Sequence, residues 1–359
     1  MDDYPISHSA MKMSVTSRGA YDRITKRKLT CLIGVIGALI LTFFVDVITG
    51  PAWLSMNEVI QGIFWPDSSD PMVSVIVWVI RLPVALMAIA VGAALGVAGA
   101  EMQTILGNPL ASPYTLGISG AAGFGASLAM VLGVGVVPYA EEFLVPLNAF
   151  IFSLISCMTI YLLAQGRKNQ TETIILVGIA LLFLFNALVA LLQYMASENQ
   201  LQAVVFWLFG SLMKATWPKL AIVTTVLILL IPMFAKDAWK LTALRLGDSK
   251  AQSLGIDVRK LRLKVFLSIS LITATAVCFV GTIGFVGLVA PHISRMLVGE
   301  DQRFFLPLSA LSGALLLSAA SVGSKMLIPG SIFPIGIITS FIGVPFFIAL
   351  ILTRKEGHW

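Results

Sequence analysis

Apolar residues fall in long runs along this chain, broken by short clusters of Pro, Gly, Asn and charged residues. Ten runs cover residues 29–48, 82–100, 114–137, 143–164, 174–195, 217–235, 265–281, 282–298, 304–323 and 335–353. About 20 apolar residues in a helix cross the ~30 Å hydrocarbon core of a bilayer, so each run has roughly spanning length. None shows the two-residue alternation of a barrel strand. The pattern predicts an all-α integral membrane protein of about ten transmembrane helices. A further apolar stretch, 203–213, is too short to cross and is expected to lie at the interface or re-enter. The seventh and eighth runs abut, and Gly281 and Gly284 mark the break between them.

Composition agrees: 58% of residues are hydrophobic, 12% are charged, and the mean hydropathy is +0.93. Soluble domains carry about twice that charged share. Charge then orients the spans. With the N-terminus inside, 20 of the 24 Lys and Arg residues fall on the inner side, leaving Arg81, Lys214, Lys219 and Lys325 outside. Such a bias places both termini in the cytoplasm. It also explains the net charge of +6 by orientation, without a nucleic-acid partner. Residues 1–28 read as a basic cytoplasmic tail and 29–359 as the membrane domain. The run after the tail is too long for a signal-peptide core and lacks a small-x-small cleavage site.

The inner loop 236–264 is the most polar interruption. Asp248 is placed to cap a short helix that Gly255 ends, and Asp257 to cap a second helix entering the next span. Leu246, Ala251, Leu254 and Ile256 give the loop an apolar side. An ordinary basic connector explains the charges; the apolar side suggests a docking surface.

Chemistry-bearing motifs are sparse. The chain has no Gly-x-x-x-x-Gly-Lys-[Ser/Thr], no His-Glu-x-x-His and no Gly-x-Ser-x-Gly. Cys31, Cys157 and Cys278 lie in apolar runs without metal or redox spacing, so they read as packing residues. His292 stands alone near a span and reads as a packed or interfacial residue. Asp46, Glu101, Glu172 and Glu198 fall at the ends of the runs, leaving no mid-span carboxylate for ion coupling. That disfavours a secondary transporter, and the lack of a nucleophile–base cluster disfavours a membrane enzyme. Gly92, Gly96 and Gly99 allow close helix approach, whether for packing alone or beside a pathway. Pro109 and Pro113 force a turn at the inner surface.

Several of these stretches are motifs in their own right. They are Arg81-Leu82-Pro83, Asn108-Pro109-Leu110-Ala111-x-Pro113-x-x-Leu116-Gly117, Ala251-x-x-Leu254-Gly255, and Gly284-Phe285-x-Gly287-Leu288-x-x-Pro291-His292-x-x-Arg295. Pro334-x-Gly336 and Gly343-x-Pro345-Phe346 complete the set. From about residue 30 to the C-terminus the chain resembles the FecCD/BtuC-type permease subunits of bacterial ABC importers for iron-siderophores, haem and cobalamin.

The resemblance implies a type II ABC importer permease architecture with inverted-repeat halves. It implies a second permease subunit, two cytoplasmic ATPase subunits that carry ATP and Mg, and a periplasmic substrate-binding protein. No cofactor is implied for this chain, and the expected location is the bacterial inner membrane. The ATPase-coupling loop would use Arg245, Leu246, Gly247, Ala251, Leu254, Gly255 and Arg259. Asn108 and Leu110, with Gln170, Thr171 and Glu172 in a second loop, would form the cytoplasmic gate. Arg81 and Lys325 would dock the binding protein by outward positive charge; for Arg81 the alternative is an interfacial anchor for its helix. Val84 and Ile332 depart from the family pattern near that docking face, where Lys214 and Lys219 could compensate. An iron-siderophore is the expected cargo, with haem or cobalamin the alternative.

Overall fold

The computed structural model describes residues 8–52, 54–66, 69–134, 141–165, 170–327 and 332–353, and every regular element among them is helical. Seven helices are long and apolar enough to cross a membrane: Asp22–Ile48, Pro71–Leu106, Phe143–Ala164, Thr171–Met195, Trp217–Leu244, Val258–Val280 and Gln302–Met326. Three shorter apolar helices, Ile118–Leu132, Val286–Val298 and Ile335–Ala349, occupy the remaining apolar runs. The ten runs thus reappear in order as ten apolar helices, with shifted ends.

The shifts have local causes. α1 (His8–Ile48) is one helix, so the expected boundary at residue 28 falls inside it. α2 (Met56–Phe64), unanticipated from the apolar runs, starts at a Ser55–Glu58 capping box. α3 (Pro71–Val75) continues through a π-helical turn (Ile76–Arg81) into α4 (Leu82–Leu106), eleven residues before the expected start. Pro83 has no amide to return to the preceding turn, and the backbone there widens so that the Leu82 N–H donates to the Val77 carbonyl. α5 (Ile118–Leu132) is shorter than its apolar run. The turn around Pro113 delays its start, and Gly133, at φ +64°, ends it.

α6 (Glu141–Ala164) and α7 (Gln170–Met195) follow, then the short helix α8 (Glu198–Leu208). α8 begins five residues before the expected short segment because Ser197 and Gln200 form a capping box. The chain beyond it is not helical. It is held by broken backbone elsewhere: Ser211 N–H donates to Val280 O at 2.7 Å, Gly336 N–H to Phe209 O at 2.9 Å, and Ile335 N–H to Gly210 O at 3.2 Å. The Thr282 hydroxyl donates to Leu208 O. Irregular backbone at membrane depth is tolerated when protein groups satisfy it in this way.

α9 (Trp217–Leu244), α10 (Asp248–Ser253), α11 (Val258–Val280), α12 (Val286–Val298), α13 (Gln302–Met326) and α14 (Ile335–Thr353) complete the chain. The break expected at Gly281 and Gly284 lies between α11 and α12. It also places Phe285 at φ +65°, an unusual conformation for a bulky residue, with its ring against Gly343.

α4 is the axis of the fold. It is buried along nearly its whole length and packs against α9, α11, α12 and α13. Gly92 meets the Gly313 backbone of α13, and Gly99 meets the Gly287 backbone of α12, so closely that a Cβ at either would overlap a carbonyl oxygen. Helix contact in lipid relies on this kind of backbone approach, because lipid tails are as apolar as leucine. Overpacking costs typically 1–3 kcal/mol even in yielding cores, roughly, and backbone cannot yield as a side chain does. Gly99→Val is therefore expected to abolish the sharp thermal transition of the detergent-solubilised protein. Gly34→Val in α1, where nothing lies within 4 Å, should leave it unchanged.

Candidate functional site

Arg245 follows the last turn of α9 and begins a compact loop. Gly247, at φ +101°, turns the chain into α10; Leu254 ends that helix, and Gly255, at φ +80°, reverses it. Asp257 then caps α11, accepting from Lys260 N–H at 3.0 Å. That amide holds the Asp257 carboxyl below the usual range. Asp248 departs from its expected role. Gly247 occupies the cap position, and both Asp248 oxygens accept from Arg262, Nη1 and Nη2 each at 2.7 Å. The apolar side of the loop also divides. Ala251 and Ile256 are buried and fasten the loop, whereas Leu246 and Leu254 are 60% and 57% exposed.

Arg262 reaches in a second direction. Its Nε donates to the carbonyl of Ile105 at 2.9 Å, an oxygen in the last turn of α4 left without a helical donor. Just beyond, Gly107 adopts φ +57°, and the Asn108 N–H returns to Gln103 O at 3.2 Å. The Asn108 side chain accepts from Leu110 N–H at 2.9 Å, fixing the turn before Pro113. One guanidinium thereby joins the loop after α9 to the turn after α4.

Around this junction lies a cavity of about 590 Å³ whose walls include Gly107, Pro109, Thr171, Gly247, Asp248 and Arg262. Thr171 and Glu172 belong to the first turn of α7 rather than to a loop, and Glu172 is exposed. Gln170 opens that helix, but its side chain lies outside the described residues. Leu110 faces a separate small cavity with His292 and Phe346, whose rings meet edge-on at 6.0 Å. Arg259 is exposed beside another, near Tyr161.

Further charges enter the site that sequence reading missed. Asp237, buried in α9, is paired with Lys240 at 2.8 Å and Lys264 at 2.6 Å. Glu300 is shared by Arg245 at 2.8 Å and Arg295 at 3.1 Å, and the Phe305 ring lies under both guanidinium groups. Arg295 also donates to the Gln103 side chain at 2.8 Å. Arg245 and Arg295 lie in stretches that the sequence singled out; Asp237 left only its spacing to Lys240, three residues on one helix, and Glu300 left no local signal.

At the opposite end, Arg81 and Lys325 do not display their charge. Arg81 is 4% exposed and donates to the carbonyls of Val47, Ile48 and Ala52 at 2.9, 2.6 and 2.5 Å, closing the end of α1. Lys325 pairs with buried Asp46 at 2.8 Å, and Ser321 donates to the same carboxylate oxygen at 2.8 Å. Both cations fasten α1 to the helices behind it, which corrects the expectation of two outward docking charges. The anchor reading of Arg81 describes this geometry. Cys157 and Cys278 are buried and Cys31 partly so, all as free thiols.

Residues 38–353 match the model of the FecCD transport family. The chain belongs to the FecCD transport family. Relatives include the vitamin B12 import system permease protein BtuC of Vibrio vulnificus, 38% identical over 78% of this chain and 83% of that protein. The hemin transport system permease protein HmuU of Yersinia pestis is 37% identical over 78% and 84% of the respective chains. The Fe(3+)-citrate import system permease protein YfmE of Bacillus subtilis is 33% identical over 92% and 96%. A solved inward-facing structure assigned to the metal-chelate type of ABC transporter superposes with a TM-score of 0.78, at 32% identity, covering 90% of this chain and 99% of that one. This FecCD protein is thus a multi-pass ABC importer permease.

Two expectations follow for it. A Lys cannot reproduce the planar fork of Arg262, so Arg262→Lys should lower transport at least ten-fold in a vesicle uptake assay while the protein still inserts. Removing one partner of a buried ion pair costs about 3–5 kcal/mol. Asp46→Ala should accordingly lower the melting temperature sharply, and Asp46→Leu with Lys325→Met should recover most of the loss.

Proposed function

We propose that this chain is the permease subunit of an ATP-driven importer that carries an iron-siderophore complex across the bacterial inner membrane. The observation that carries the reading is the Arg262 bridge, which ties a loop with two exposed leucines to the turn at the end of α4. A displacement imposed on that loop from outside has a direct mechanical route to the turn. The chain lacks a P-loop of its own, which fits hydrolysis on two separate ATPase subunits that hold ATP and Mg, with no cofactor and no catalytic residue here.

In this reading Leu246 and Leu254 dock the ATPase, while Arg245, Gly247, Ala251, Gly255 and Arg259 shape and flank the docking loop. Asn108, Leu110, Gln170, Thr171 and Glu172 would act as the gate of the exit that opens when the loop moves. A second permease subunit completes the pathway in the lipid bilayer. A periplasmic binding protein delivers cargo to the other end, at a face supported by the anchored Arg81 and Lys325. The excess of basic residues at the loop end supports a cytoplasmic position for both termini. Transport of chelated iron is favoured over haem or cobalamin, whose importers share the family, and no nucleic acid is involved.

The permease is to be reconstituted in proteoliposomes with its binding protein and ATPase subunits, and uptake of ferric siderophore, haem and cobalamin compared. ATP-dependent uptake of the ferric complex is expected. Uptake driven by an ion gradient without ATP would instead identify a secondary transporter. Leu254→Asp should lower ATPase copurification and uptake by at least ten-fold, as loss of about 1.4 kcal/mol in docking would do.

A further inference from the structure

Glu101 stands out in the last two turns of the buried helix α4. Its residue is 0% exposed, and neither carboxylate oxygen accepts a hydrogen bond among the described residues. The sequence reading set it at the end of a span, but α4 continues past it to Leu106. A buried carboxylate without donors is costly, so its retention calls for a partner. Thr104, one turn further along the same face of α4, accepts from Gln302 of α13 at 2.8 Å, and Arg245 lies over the ring of Phe305, one turn on from Gln302, so Arg245 is the cation packed toward this face.

The state of Arg245 matches that need. Nη2 is bound to Glu300, whose side chain is 49% exposed, while Nη1 is buried and makes no hydrogen bond among the described residues. One buried donor and two buried acceptors are thus left unsatisfied, the donor on Arg245 and the acceptors on Glu101. Arg245 caps the end of α9, two residues before the loop turns at Gly247. Movement of its guanidinium from Glu300 toward Glu101 would carry the start of the loop toward the core. Glu300 would keep Arg295, its other partner at 3.1 Å, so the exchange leaves no surface charge stranded.

We propose that Glu101 is a positioning residue of the transport cycle: it receives Arg245 from Glu300 when the loop after α9 is displaced, and holds the loop in its second position. The inference rests on the importer reading, because the displacement is taken to be driven by the ATPase subunits. Coulomb attraction grows as the effective dielectric falls, which makes the inner position a defined stop instead of a drift. Two discrete partners for one guanidinium give the loop two positions, the bistable element that coupling between distant sites requires.

The full complex of permease, ATPase subunits and binding protein is to be reconstituted with spin labels at Gln252 and Tyr114 on a Cys31→Ser background. Cargo moved per ATP and the label separation are then measured with and without ATP under conditions that block hydrolysis. Glu101→Gln is expected to lower cargo per ATP at least ten-fold and to hold the nucleotide-free separation when ATP binds. Glu300→Gln should act in the opposite sense, shifting the nucleotide-free separation toward the ATP-bound value. Glu101→Asp should keep at least half of the coupling.

Coupling in Glu101→Gln within two-fold of the parent would overturn the proposal, since glutamine keeps the shape but not the charge. So would shifts of the same sign in Glu101→Gln and Glu300→Gln. Failure of Glu101→Gln to assemble would assign the carboxylate to folding alone and overturn it as well. Absence of any ATP-dependent response in the parent complex would instead remove the importer reading beneath it.

Discussion

A chain that crosses a bilayer must satisfy its own polar groups, because hydrocarbon offers no hydrogen bonds to replace those of water. Most of the fold can be traced to that constraint. Where α11 stops at Gly281, where α8 stops at Leu208 and where α14 begins at Ile335, backbone groups would be orphaned singly. Brought together they satisfy one another through Ser211, Phe209, Gly210 and Thr282. The three breaks therefore stabilise a common site, and that end of the molecule can be irregular without exposing backbone to lipid.

The same constraint governs the charges. Asp46 and Lys325 are buried as a pair, and Arg81 fills the open carbonyls of α1. At the other end Arg262 divides its donors between Asp248 and the carbonyl of Ile105, so one side chain closes a helix terminus and anchors a loop. Function then follows from what is rigid. α4 is locked by glycine contacts to α12 and α13, and Arg262 joins the turn after it to the loop after α9.

The residues that meet water or lipid were the ones legible in advance. Ten apolar helices, the basic bias, the Gly255 reversal and the Asp257 cap all depend on a residue and its near neighbours. The family resemblance added partners and site residues that local pattern could not supply. The reading of Arg81 and Lys325 as displayed charges failed because exposure is a property of what packs alongside, and the carboxylate and carbonyls that absorb them come from α1. Glu101 was placed at a span end because the apolar run fades there, while the helix continues under cover of its neighbours.

Hydropathy and local caps by themselves determined that this is a membrane protein, how many apolar helices it has and which loop is shaped, since transfer to lipid and helix termination act over about 20 residues or fewer. Only the tertiary structure decided which charges meet. Arg262 and Ile105 are 157 positions apart, and Lys325 and Asp46 are 279 apart. No periodicity links positions so distant; packing around α4 brings each pair within hydrogen-bond reach, and with it the route from loop to turn.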